Sequence, residues 1–121
     1  MDIRLSSDSD ALICVLYAEY LSRRKHGIPI EDASYFKDDY SVHDTFLPQW
    51  LQEDVTTVCF WLEARGLISC LTGDDHCLDI SLTEDGIVYM EARFEKKHNT
   101  VIAHLKELIE FGVPIALNLL H

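Results

Sequence analysis

The sequence predicts an α+β chain, mainly α, in which several helices surround one two-stranded hairpin. Three observations within residues 53–90 carry that prediction. Val55, Val58, Cys59 and Leu62 recur at the spacing of a helix with one buried stripe, and Gly66 stands where such a helix stops. Two β-capable runs, residues 67–71 and 76–82, flank Thr72-Gly73-Asp74-Asp75, which is the composition of a hairpin turn. Thr83 then offers a cap hydroxyl to a new helix whose first turn carries Glu84 and Asp85.

Taken in order, the chain first predicts a helix over residues 10–25, capped by Ser9 or Asp8. Its run ALICVLYAEYL is apolar nearly all round, which marks a central helix. Arg23, Arg24 and Lys25 complement the negative end of its dipole, and Gly27 suits the position after it. Pro29 opens a short second helix over residues 29–36, and a short third strand after Gly27 would fit beside the hairpin. Residues 37–49 form a long aromatic-rich segment, with Tyr40, Val42, Phe46 and Leu47 expected to pack down on the body. The third helix runs from residue 48 or 50 to 65, with Gln49, Gln52, Glu53, Thr56, Thr57, Phe60 and Glu63 outward. Trp50 and Trp61 read as packing residues. A fourth helix covers residues 83–98, and a fifth starts at Asn99 or Thr100. The expected core includes Leu12, Val15, Leu16, Val55, Val58, Leu62, Leu67, Ile80, Ile87 and Met90.

The order of helix, Gly66-Leu67-Ile68, hairpin, and Leu82-Thr83-x-x-Gly86 entering a helix resembles the winged-helix superfamily, especially MarR- and PadR-type bacterial regulators. The resemblance implies a winged helix-turn-helix with a two-stranded wing over residues 1–98 and an added C-terminal helix and apolar tail over residues 99–121. It further implies that helices outside the winged helix build a homodimer. Val101, Leu105, Leu108, Phe111, Ile115 and Leu119 are the apolar candidates for that interface. Residues 37–49 depart from the family, whose minimal motif has only three or four turn residues there.

Composition bounds the function. At 48% hydrophobic and 10% aromatic, 121 residues can bury one core. No apolar run approaches the roughly 18 residues that span a bilayer, and the first ten residues lack a signal-peptide pattern, so a soluble cytoplasmic chain without membrane contact is expected. Cys14, Cys59, Cys70 and Cys77 contain no Cys-x-x-Cys pair and read as buried thiols. His76 and Cys77 are adjacent and would face opposite sides of a strand, which argues against a shared metal, and no cofactor motif is present. Gly-rich phosphate loops, Gly-x-Ser-x-Gly and His-Glu-x-x-His are all missing, so nothing supports catalysis.

Charge separates the two functions that remain. The net charge of −11 arises wholly from the middle of the chain, since residues 1–30 and 91–121 each balance four acids with four bases. A DNA-reading surface needs Lys and Arg against phosphate. The third helix and the hairpin instead offer Glu53, Asp54, Glu63, Asp74, Asp75 and Asp79. The expected function is therefore protein–protein interaction through an acidic face meeting a basic surface, of which a nucleic-acid mimic is one form. The alternative is a DNA-binding transcriptional regulator, with Arg23, Arg24, Lys25 and Arg65 as its phosphate contacts.

Overall fold

The computed structural model of the chain describes residues 3–117. Six helices and one antiparallel sheet follow in the order α1 (Ser7–Lys25), α2 (Ile30–Ala33), α3 (Asp39–Phe46), α4 (Gln52–Ala64), β1 (Ile68–Gly73), β2 (His76–Leu82), α5 (Glu84–Phe94) and α6 (His98–Glu110). This is an α+β arrangement, mainly helical, with a two-stranded hairpin between α4 and α5. Among the described residues no helix is long and apolar enough to cross a membrane.

Helix α1 runs through the centre. Every residue from 11 to 18 is fully buried, because α2, α4, α5 and α6 all pack around it. It starts three residues earlier than the sequence suggests. Ser6, rather than Ser9 or Asp8, is the cap, its hydroxyl accepting the Ser9 N–H at 3.1 Å, while Ser9 itself is buried. The expected core residues are all buried except Ile87, which is half-buried on α5.

Residues 29–49 differ most from expectation. The helix after Pro29 is a single turn, and the longer helix is α3, eight residues inside the 37–49 segment that is expected only to pack down on the body. Asp38 caps α3, its Oδ1 accepting the Ser41 N–H at 2.8 Å, and Asp39, Val42 and Phe46 share the buried face. The link from α3 to α4 is then only residues 47–51, within which Trp50 is buried. Residues 34–37 meanwhile pair with β2. Tyr35 bridges Ser81, Phe36 N–H bonds Ile80 O at 2.8 Å, and Leu82 N–H bonds Ser34 O at 3.0 Å. β2 therefore lies between β1 and this short extended segment.

Local chemistry fixes the hairpin and its exit. Asp74 and Asp75 form the two-residue turn, both left-handed (φ 50° and 64°), which matches the twist of the flanking strands. The register shifts between Ser69 and Leu71, and Asp79 (φ 52°) absorbs the extra residue on β2 as a bulge. Thr83 caps α5 by accepting Gly86 N–H at 2.9 Å and donates to Gly66 O at 2.6 Å, tying the start of α5 to the end of α4. A Cβ on Gly86 would collide with the Leu67 carbonyl, so that glycine permits the close approach of the two backbones.

The C-terminal elements fold onto the same body. α5 ends at left-handed Glu95, four residues earlier than expected, and α6 starts at His98 with no side-chain cap. Val101, Leu105 and Leu108 pack into the core beside α1, and Ile115 is buried as well. Trp50 Nε1 donates to Pro114 O at 2.8 Å, fixing the tail against the α3–α4 link. Phe111 is 84% exposed, and Leu119 lies outside the described residues. Four of the six apolar residues considered for a dimer interface are thus covered by their own chain.

Candidate functional site

The surface formed by α4 and the hairpin is where charge and exposed apolar area coincide. Between Asp38 and Leu82 the sequence holds nine acids (38, 39, 44, 53, 54, 63, 74, 75 and 79) and a single Lys or Arg, Arg65. Glu53 and Asp54 are exposed in the first turn of α4, where the helix dipole favours acids. Asp74 and Asp75 are exposed at the hairpin turn. Asp79 is exposed on the bulge and accepts the Tyr35 hydroxyl at 2.7 Å, a bond that raises the Tyr35 pKa. Glu63 is set apart from these. It is half-buried and its Oε2 lies 3.6 Å from the Cys70 thiol, so it belongs to the α4–β1 packing.

Apolar side chains are exposed on the same elements. Trp61 on α4 is 46% exposed, Leu71 on β1 64%, and Leu51, just ahead of α4, 64%. Leu71 stands opposite Leu78, also exposed, across the hairpin. An acidic surface carrying an exposed Trp and a leucine pair has the composition of an interaction site, since aromatic anchors dominate such contacts.

A buried carboxylate holds this surface in shape. Asp39 is fully buried at the start of α3, and its Oδ2 accepts from Thr56 Oγ1 (2.6 Å), His76 Nδ1 (2.8 Å) and Cys77 N–H (3.3 Å). His76 Nε2 meets the Tyr40 hydroxyl at 2.7 Å, with the two rings 4.5 Å apart. One carboxylate thereby joins α3, α4 and β2. Its Oδ1 has no hydrogen-bond partner among the described residues. Thr56 was expected to point outward, and it is buried because it donates to Asp39. Nothing in the sequence links positions 39, 56 and 76. The only local signal is the Asp38-Asp39 doublet, where one acid caps α3 and the other is free to turn inward.

The cysteines pack behind the hub. Cys70 and Cys77 Sγ are 2.8 Å apart, and both thiols are pushed far above their ordinary pKa, Cys70 chiefly by burial and Cys77 by its contact with Cys59 and by burial. Burial and mutual contact thus disfavour the thiolate, the form that reacts as a nucleophile.

The cations proposed for phosphate contact do not gather on α4 or the hairpin. Arg23 lies 4.7 Å over the Phe36 ring and donates to the Ala33 and Tyr35 carbonyls. Arg24 donates to Ile28 O, and Arg24 and Lys25 line a cleft with the α5–α6 turn. Arg65 bonds the Arg4 and Trp61 carbonyls. Of these four, Arg65 alone adjoins α4.

One further cluster has metal-ligand chemistry. Asp10, Cys14 and His104 place a carboxylate, a thiol and an imidazole within 4.8 Å of one another. Arg93 donates to Asp10 Oδ1 at 2.7 Å and lies 3.3 Å from His104 Nε2, which is itself 2.6 Å from Asp10 Oδ2. With a guanidinium already neutralising the carboxylate, the group acts as an ion-pair clasp between α1, α5 and α6. Burial disfavours the Asp10 anion, but the hydrogen bonds and charges of Arg93 and His104 outweigh it and hold its pKa below the ordinary value.

No protein-family model, curated protein or solved structure matches this chain.

Proposed function

We propose that the chain is a non-catalytic winged-helix protein that binds a basic surface of another protein through the acidic face of α4 and the hairpin. The winged-helix reading is supported by element order. A central helix, a short extended segment against β2, the α3–α4 pair and then the hairpin follow in the sequence such a domain requires. In this reading α3 is the positioning helix, α4 the recognition helix, and the hairpin the wing.

The observation that carries the functional reading is the charge of that face. Glu53, Asp54, Asp74, Asp75 and Asp79 are all exposed, and few cations stand near them: Arg65, engaged with backbone carbonyls, and Lys37, whose carbonyl accepts the Ile80 N–H beside Asp79. Each acid would be repelled by a phosphate backbone and attracted to a basic protein, including the nucleic-acid groove of another protein. The regulator alternative would have to rely on Arg23, Arg24, Lys25 and Arg65, of which only Arg65, directly after α4, adjoins this face.

The test is a pull-down with the native chain and with the Glu53→Lys/Asp74→Lys/Asp75→Lys variant as baits. A basic partner retained by the native bait, released by salt and absent from the variant bait is the expected result. Partners retained equally by both baits would refute the acidic face as the binding surface.

A further inference from the structure

The cations of this acidic chain converge where the end of α1 meets the α5–α6 turn. Arg24 and Lys25 from the end of α1 meet Lys96 and Lys97 from the α5–α6 turn around a concavity of about 630 Å³ that reaches the first residues of α6. A second concavity, of about 500 Å³, opens between α1, α2 and α5. Its apolar lining includes Leu21, Ile30, Ile87 and Val88, with Ile30 54% and Val88 56% exposed. Leu21, Arg24 and Lys96 line both concavities, so the two are halves of one cleft, one half apolar and the other basic.

Charge decides what such a cleft would hold. Its walls carry four cations against two carboxylates, Glu84 and Glu91, and with Glu95 beside Lys97 the balance is +1 in a chain whose net charge is −11. Lys96 Nζ lies 3.4 Å from half-buried Glu91 Oε2 and Lys97 Nζ 3.2 Å from exposed Glu95 Oε2, and both lysines are exposed enough to turn to a ligand anion. Arg24 and Lys25 make no salt bridge among the described residues. A purely ionic ligand would leave the apolar half wet, and a purely apolar one would leave the cations unused.

We propose that this cleft binds an organic phosphate, with its apolar body against Leu21, Ile30, Ile87 and Val88 and its phosphate among Arg24, Lys25, Lys96 and Lys97. Several cations from different elements suit a dianionic head with several acceptor oxygens better than a single carboxylate. The site shares no residue with the acidic face, so it stands or falls independently of the function proposed for that face.

Calorimetric titration of the native chain with octyl phosphate, inorganic phosphate and octanol tests it. Octyl phosphate is expected to bind at one per chain, at least tenfold more tightly than either half alone. The Arg24→Glu/Lys96→Glu variant should lose at least tenfold of that affinity, and Val88→Asp a comparable amount, each titrated well below its own thermal midpoint because Arg24 also bonds Ile28 O and Lys96 pairs with Glu91. Octyl phosphate binding no tighter than inorganic phosphate, or as tight to the charge-reversed variant, would overturn the proposal, as would no binding at all.

Discussion

The two ends of this molecule solve opposite electrostatic problems. On the α4–hairpin side, exposed acids accumulate with little compensation, and a single buried carboxylate, Asp39, fixes the geometry through Thr56, His76 and the Cys77 amide. On the α1–α5–α6 side Asp10 is ion-paired with Arg93 and hydrogen-bonded to His104, and four cations line an open cleft. The difference teaches that net charge is a poor guide to what any one surface can bind. At −11 the chain looks uniformly hostile to anions, yet it offers a cleft with a positive balance.

The comparison breaks most easily at its buried acid. Asp39→Ala removes the acceptor shared by three donors and is expected to cost about 3–4 kcal/mol, because each abandoned buried donor carries a penalty of about 1–3 kcal/mol. Urea unfolding measures that loss. Hydrogen exchange should show the hairpin amides opening first, and uniform loss of protection across all helices would show that Asp39 is merely one core residue among many.

Next in size is the backbone contact behind the wing. Gly86→Ala forces the start of α5 away from Leu67 and is expected to destabilise by about 2 kcal/mol, read as a lower denaturant midpoint at unchanged slope. The ion-paired end gives a comparable effect with a different signature. Asp10→Asn should cost about 2 kcal/mol at neutral pH through the loss of a charged hydrogen-bond acceptor. Because the folded-state pKa of Asp10 is depressed, its contribution is present above the ordinary carboxylate value and fades as pH falls through the folded one. Acid unfolding should therefore separate the native chain from the variant less and less as pH drops, and a constant gap would contradict the ion-pair account. Smallest of all is the stability effect of Glu53→Lys/Asp74→Lys/Asp75→Lys. Each change should move stability by less than about 1 kcal/mol, since Glu53 faces the α4 dipole and Asp74 and Asp75 hold left-handed turn positions, while together they remove about 1–3 kcal/mol of affinity for a basic partner.

Much of this arrangement was readable from local chemistry. The stripe of α4, the stops at Gly27 and Gly66, the Thr83 cap and the hairpin all depend on residues within a few positions of one another. Where reading failed, a distant contact decided. The Asp38-Asp39 doublet starts a helix in a segment whose aromatic content says only that it packs on the body, and only α4 and β2, folded against it, reveal why Asp39 is buried. Thr56 was assigned outward by its helical phase, and the same carboxylate draws it in. The apolar stripe of α6 was correctly periodic, but periodicity does not say whether the covering surface comes from the same chain. α1 supplies it for Val101, Leu105 and Leu108, leaving Phe111 and Ile109 as the exposed apolar side chains at that end. The basic cleft was missed because Arg24 and Lys96 lie far apart in sequence and meet only when α1 and the α5–α6 turn are packed together.

The central claim is that the α4–hairpin face rejects nucleic acid. An anisotropy titration of labelled duplex DNA with the native chain at low ionic strength, where any phosphate contact is strongest, tests it most directly. The account predicts no binding by the native chain and weak binding gained by Glu53→Lys/Asp74→Lys/Asp75→Lys. Micromolar binding by the native chain, lost when Arg23, Arg24 and Arg65 are replaced by alanine, would contradict it.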